Sequence, residues 1–273
     1  MTRFGIASLL GVLLAGSVLL YAQNPFKQYR DTVEDYSNYP LPSDWQNPAE
    51  WVFARLKYRD SRRFEFGRDY LWTMDYPRGD RHLVQGVRRL TTIDARSVEQ
   101  VTELDGTDDI YNWPFLYAVE VGFMDLTEES AAQLRTYFDR GGFLMVDDFH
   151  GEMQWDNFLR NMDMVSPDFD IVDLTVQDTI FHTSSDVNEL IQIPGEQYLE
   201  SGHTYEDPDR DSSGVVPHFR AIRDKRGRII VVMCHNMDLG DAVEHSDNPR
   251  YDERFSALAF RVWTNYVVYD LTH

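Results

Sequence analysis

Two carboxylates and an imidazole, Asp147, Asp148 and His150, directly follow the apolar run Phe143-Leu144-Met145-Val146. Such a run suits a strand covered on both faces, and ligands of open α/β sheets gather beyond the carboxyl ends of those strands. An adjacent carboxyl pair at that place can split its protonation and act as acid and base. The alternative is structural: one Asp caps the following helix and the other faces solvent. A second group, Cys234, His235, Asn236, Asp238, Asp241, Glu244 and His245 in CHNMDLGDAVEH, follows the apolar run Ile229 to Met233. A third is DTIFHTSSD, where His182 follows Ile180-Phe181, and Asp75 lies before the turn marked by Pro77 and Gly79.

Three chemistries use residues of these types. A divalent metal would take His150, His182 and His235 with Asp148 or Asp238, and Asp148 or His150 would then be the catalytic acid–base group of a hydrolase. His235 and His245 are too far apart for an H-x-x-x-H helix pair, so no short metal signature is present. A cysteine nucleophile would be Cys234 beside His235, but the glycines of a nucleophile elbow are missing, and Cys234 reads as a small buried residue. Binding without bond-breaking would use Asp75, Asp148, His150, His182, His235, Asp238 and Asp241. Asp238-Leu239-Gly240-Asp241 also reads as an Asx-type turn closed by its own side chains. Trp72, Tyr76, Trp113 and Trp155 offer faces for stacking a sugar, although core packing is the commoner use of such rings.

The elements that must position these groups alternate along the chain. Trp51 to Tyr58 reads as a strand with Trp51, Phe53 and Arg55 on one face; a helix carrying Leu83, Val87 and Leu90 on one face follows the Asp75 loop. Ser97 to Leu104 and Phe115 to Val121 read as strands. Thr127 is a good N-cap, Glu128 and Glu129 suit the first helical turn, and Gly141-Gly142 stops that helix before the run at 143. Met153 to Met162 has helical periodicity, Phe169 to Val176 alternates as a strand, and 178 to 217 is irregular. Phe219 to Arg223 and Arg228 to Cys234 form a hairpin, and Phe255, Ala259, Val262, Tyr266 and Tyr269 trace a C-terminal helix. The order predicts an α/β fold, a mainly parallel sheet with helices on both faces and hairpin strands toward the C-terminus.

The chain has 273 residues and 42% hydrophobic content, enough for one large domain, expected over 51–273 after an extended lead-in over 23–50. Arg3 followed by an apolar run from Phe4 to Tyr21 and the small residue Ala22 predicts a secretory signal over 1–22, or an uncleaved N-terminal membrane anchor. A periplasmic or secreted location is therefore expected. The net charge of −20 repels nucleic acid and anionic lipid and argues against both as partners. Cys234 is the only cysteine, which excludes an intramolecular disulfide.

The motifs WTMDYPRGDRHLVQGVRRLT, WPFLYAVEVG, LRTYFDRGGFLMVDDFHG, DTIFHTSSD and HNMDLGDAVE, in that order, resemble the bacterial family called domain of unknown function 4159, from about Trp51 to Thr272. The resemblance implies a flavodoxin-like fold similar to class I glutamine amidotransferase and trehalose-utilisation-type domains. Gly141 to His150 then falls where the amidotransferase nucleophile elbow would be, and Asp147, Asp148 and His150 stand there without a cysteine. Amidotransferase activity is not implied. The expectation is an exported domain that binds a carbohydrate or an envelope protein partner at the carboxyl edge of its strands. The alternative is a metal-dependent hydrolase at the same edge, and a third reading is an interaction module working through the aromatic lead-in.

Overall fold

A computed structural model describes residues 24–273 apart from 37, 63, 64 and 66; the expected signal lies outside the described residues. Seven strands among them make one sheet: β1 (Ala54–Lys57), β2 (Gln100–Glu103), β3 (Phe115–Val119), β4 (Phe143–Phe149), β5 (Asp170–Asp173), β6 (His218–Arg223) and β7 (Ile229–His235). Their spatial order is β2-β1-β3-β4-β7-β6-β5. The first five in that order run parallel, whereas β6 is antiparallel to both β7 and β5. The parallel part has the 2-1-3-4 order of a flavodoxin-like sheet, in which the carboxyl ends of the strands share one edge.

Alternation along the strands divides the core in two. Leu116, Ala118, Leu144, Val146 and Met233 face one layer of helices, α2 (Glu128–Asp139) and α3 (Gly151–Val165), through Leu134, Phe138, Phe158 and Met162. Phe115, Tyr117, Phe143, Met145, Val232 and Cys234 face the other, α1 (Arg78–Leu90) and α6 (Glu253–Thr272), through Leu83, Val87, Val262, Trp263 and Tyr266. Helix α2 starts as expected: Thr127 and Ser130 form a reciprocal capping box, and Gly141, at φ +100°, follows its end. A four-residue helix, α4 (Tyr198–Ser201), interrupts the irregular stretch, and α5 (Leu239–Glu244) follows β7.

Three local expectations need correction. The apolar run at 143 continues as strand through Asp147 and Asp148 to Phe149, because both carboxylates are buried at the sheet edge. Leu90 is not on the buried face of α1; it is 55% exposed at the last turn. The segment after Asp238 is a helix, not an isolated turn. The described residues of 24–50 form no helix or strand, turn at 43–46 and pack on the domain, with the Tyr29 ring edge-on to Trp72 and Val33 N–H donating to Thr73 Oγ1. No helix of the described residues is long and apolar enough to cross a membrane.

Candidate functional site

The carboxyl ends of β3, β4 and β7 are held in unusual backbone. Glu120 after β3, Asp148 in β4 and Asn236 after β7 have φ of 55°, 51° and 61°, and Asp75 in the adjoining loop has φ 60°. Four non-glycine residues in left-handed conformation at one edge store strain where side chains must be aimed off the regular pleat. The pairing of β4 with β7 slips between Val146 and Phe149, so the pleat is broken at Asp147-Asp148. Tyr58 Oη donates to the Val119 and Glu120 carbonyls, which fixes the first of these turns. Asn236 N–H donates to the Phe149 carbonyl while its Oδ1 accepts from Gly151 N–H, stitching β4 and β7 together.

Asp147 takes a structural role that the sequence reading assigned to the wrong helix. Its Oδ2 accepts the backbone N–H groups of Leu239 (2.8 Å) and Gly240 (2.9 Å), so it caps the start of α5 rather than the helix that follows β4. Asp148 does not face solvent either: it is buried, and its Oδ1 lies 3.0 Å from His150 Nε2. Asp238 is the N-cap of α5, its Oδ1 accepting from Asp241 N–H at 2.7 Å. The expected Asx-type bond is thus present and opens a helix.

Acidic side chains converge around this frame. Ligand-capable atoms of Asp75, Asp238 and Asp241 lie within 4.8 Å of one another, as do those of Asp148, His150 and Glu206, and those of Asp241, Glu244 and His245. Among the described residues no Lys or Arg forms an ion pair with Asp75, Asp148 or Asp238. Asp75 Oδ2 and His150 Nδ1 are buried without a hydrogen-bond partner. A void lined by Asp75, Gly240, Arg55, Tyr117 and Trp263 encloses about 170 Å³ of non-atom space, too narrow anywhere to hold a water molecule.

Burial raises the carboxyl pKa values well above the ordinary range for Asp75, Asp148 and Asp238, and the Asp241 carboxylate adds repulsion to Asp75 and Asp238. For Asp148 the repulsion comes chiefly from Glu120 and Glu206. Desolvation first, then neighbouring carboxylates, pushes Glu120 up to about 8 and Glu206 to about 7. Glu244 is pushed up to about 8 by burial. The same burial lowers His150 to about 4, leaving it neutral and able to offer a lone pair.

The structure brings Asp75, Asp148, His150, Asp238 and Asp241 to one edge. His235 borders them, but both its nitrogens are engaged, Nε2 at 3.2 Å from the Gly151 carbonyl and Nδ1 at 3.3 Å from Arg220 Nη1. Burial lowers its pKa to about 3. His182 is elsewhere. Asp178 pairs with Arg223 at the far end of β6, so the chain leaving β5 has crossed back before it reaches His182, which is exposed and held by Asp186 and the Val176 carbonyl. Cys234 is fully buried, and burial raises its thiol pKa.

Four residues at this edge were not anticipated: Glu120 and Glu206, Glu34, whose charge acts on Asp75 and Asp241, and Gln197, whose Oε1 gathers with Asp238 Oδ2 and Asp241 Oδ2 against Gly195. Glu34 and Glu206 come from segments without period, and Glu120 at the end of FLYAVEV looks like an ordinary polar strand end. Only its place, the residue after a buried parallel strand, could have flagged it. Arg55 was expected on a core face but its task was not: its guanidinium grips Asp80 and the carbonyls of Trp72 and Met74, fixing the loop that delivers Asp75. No curated protein matches the chain. A family model described as a domain of unknown function (DUF4159) matches residues 52–271, a span that holds the whole sheet and runs to within a residue of the end of α6, and the chain belongs to that family.

Proposed function

We propose that this chain is an exported α/β domain that binds a divalent cation at the carboxyl edge of its sheet, through Asp75, Asp238 and Asp241. The observation that carries the reading is the meeting of three buried or half-buried carboxyl groups within 4.8 Å, with no Lys or Arg among the described residues in an ion pair with Asp75 or Asp238. Buried carboxylates without a counter-charge are costly, and a cation supplies that charge. Oxygen-only donors suit Mg²⁺, Ca²⁺ or Mn²⁺ rather than a soft metal. The apolar run at 4–21 supports export. A ligand of the bound cation, such as an oxygen-rich group of an envelope partner, would have to approach from outside.

A second reading, metal-dependent hydrolysis, is favoured by the Asp148–His150 pair at 3.0 Å, a neutral imidazole oriented by a carboxyl group beside the proposed cation. In that reading His150 holds or moves a proton on a water molecule, and Cys234 takes no part.

The test is metal content. Protein purified without chelator or affinity-tag metal is expected to carry hard divalent metal or take it up, and to melt at lower temperature after EDTA. Asp238→Asn should abolish the EDTA effect while keeping the far-ultraviolet spectrum. No uptake of Mg²⁺, Ca²⁺, Mn²⁺ or Zn²⁺, with no thermal shift, would overturn the proposal.

A further inference from the structure

We infer that the edge is built for two cations, with the Asp241 carboxylate bridging them. This rests on the cation-binding reading above and goes beyond it in number, donors and geometry. Asp241 belongs to two clusters, one with Asp75 and Asp238, the other with Glu244 and His245. Its two oxygens face different ways. Oδ1 lies 3.7 Å from His245 Nε2. Oδ2 accepts Glu196 N–H, and together with Asp238 Oδ2 and Gln197 Oε1 it crowds Gly195, where a β-carbon would meet the three oxygens at 2.9, 2.7 and 2.8 Å.

Each half of the arrangement contains a buried polar atom without a hydrogen-bond partner among the described residues. Asp75 is 3% exposed and its Oδ2 has no partner; it lies against Gly240 at the start of α5. Glu244 is 1% exposed; the Tyr36 hydroxyl hydrogen-bonds its carboxyl group, but its Oε1 has no hydrogen-bond partner among the described residues. Orphaned buried oxygens are costly, so two at one short helix call for an occupant.

Simple ion pairing of His245 does not account for the second cluster. Its Nε2 is 3.7 Å from both Asp241 Oδ1 and Glu244 Oε2, longer than the roughly 2.7–3.2 Å of a hydrogen bond. Two donors bound at about 2.0–2.4 Å to one ion stand roughly 3–4 Å apart. The separation therefore fits two ligands of one ion better than it fits a direct pair. Helix α5 supplies the logic: Asp238, Asp241 and Glu244 recur every third residue, and Asp241 with His245 is an i, i+4 pair. The first position has oxygen donors only, and the second adds an imidazole, which accepts Mn²⁺ or Zn²⁺ more readily than Ca²⁺.

Mn²⁺ titration of the full-length protein, followed by electron paramagnetic resonance and by metal analysis after desalting, tests this. The wild type should bind two equivalents and show an exchange-broadened signal from neighbouring ions. Glu244→Gln and His245→Ala should each bind one equivalent with an unbroadened six-line signal; Glu244→Gln carries the test if the alanine variant fails to fold. Asp241→Asn should lose the broadening. One equivalent in the wild type, unchanged in Glu244→Gln, would overturn the second position and leave the single-cation proposal standing. Two equivalents without broadening and indifferent to Glu244→Gln would also overturn it. No bound Mn²⁺ would instead refute the cation reading itself.

Discussion

Asp147 and Gly240 show how single residues set this edge. Asp147 is buried inside the sheet, yet it accepts two backbone N–H groups from the start of α5 and so places the helix on which Asp238, Asp241 and Glu244 ride. Asp147→Ala should cost about 2–4 kcal/mol, since two buried donors lose a shared, partly charged acceptor. Chemical denaturation would read that as a lower midpoint at unchanged slope; a loss below half a kcal/mol would mean the cap is not used. Gly240 has a different constraint. A β-carbon there would run into Asp75 Oδ2 and come within 2.9 Å of Tyr117 Oη. Gly240→Ala should therefore displace Asp75 and weaken Mn²⁺ binding at least tenfold, with a smaller loss of stability than Asp147→Ala. Unchanged Mn²⁺ affinity would show that Asp75 is not a ligand.

At the scale of elements, β1 and α1 form the floor under the site through a buried ion pair. Arg55 and Asp80 are both about 1% exposed in their side chains, and Arg81 pairs with Glu99 in the same layer. Arg55→Leu should destabilise the fold by about 3–5 kcal/mol because Asp80 is left buried and unpaired, and Arg55→Leu with Asp80→Leu should recover much of that loss. A thermal-melt cycle showing no recovery in the double variant would place the damage in the released Trp72 and Met74 carbonyls instead. The regular elements were legible because their patterns are strong: β3 is an unbroken apolar run, β4 begins with one over 143–146, and α2 announces itself with Thr127 and stops before Gly141. What escaped the sequence was the product of long-range pairing. Asp147 caps a helix more than ninety residues later, a relation no local pattern encodes. Asp148, His150, Asp238 and Asp241 could be picked out because they follow apolar strands. His182 follows an apolar pair too, but in a segment that the antiparallel strands carry back across the sheet. Glu34 and Glu206 lie in stretches whose path only tertiary packing decides.

The whole molecule carries a net charge of −20 and concentrates part of it where water is excluded, so its stability must depend on both pH and cations. Burial raises Glu34 and Glu206 to about 7 and Glu120 and Glu244 to about 8. Between their unfolded values near 4.5 and these raised ones, the folded chain holds protons that the unfolded chain releases. Stability in that window therefore falls as pH rises: the contribution is fully present below about pH 4.5 and gone once pH passes the folded pKa values. A divalent cation needs the ionised carboxylates and competes with those protons, so it should restore most where the metal-free protein has lost most. Metal-free protein is expected to melt progressively lower from pH 5 to pH 8.5, and saturating Mn²⁺ or Ca²⁺ should raise the melting temperature strongly at pH 8 and barely at pH 5. Asp270 supplies an internal control. Burial raises it to about 7 next to Arg228, away from the site, so Asp270→Asn should flatten part of the metal-free slope without touching the cation effect. A cation shift of equal size at pH 5 and pH 8 would mean that the ions bind ordinary surface carboxylates, and the buried edge would then have to be explained by protonation alone.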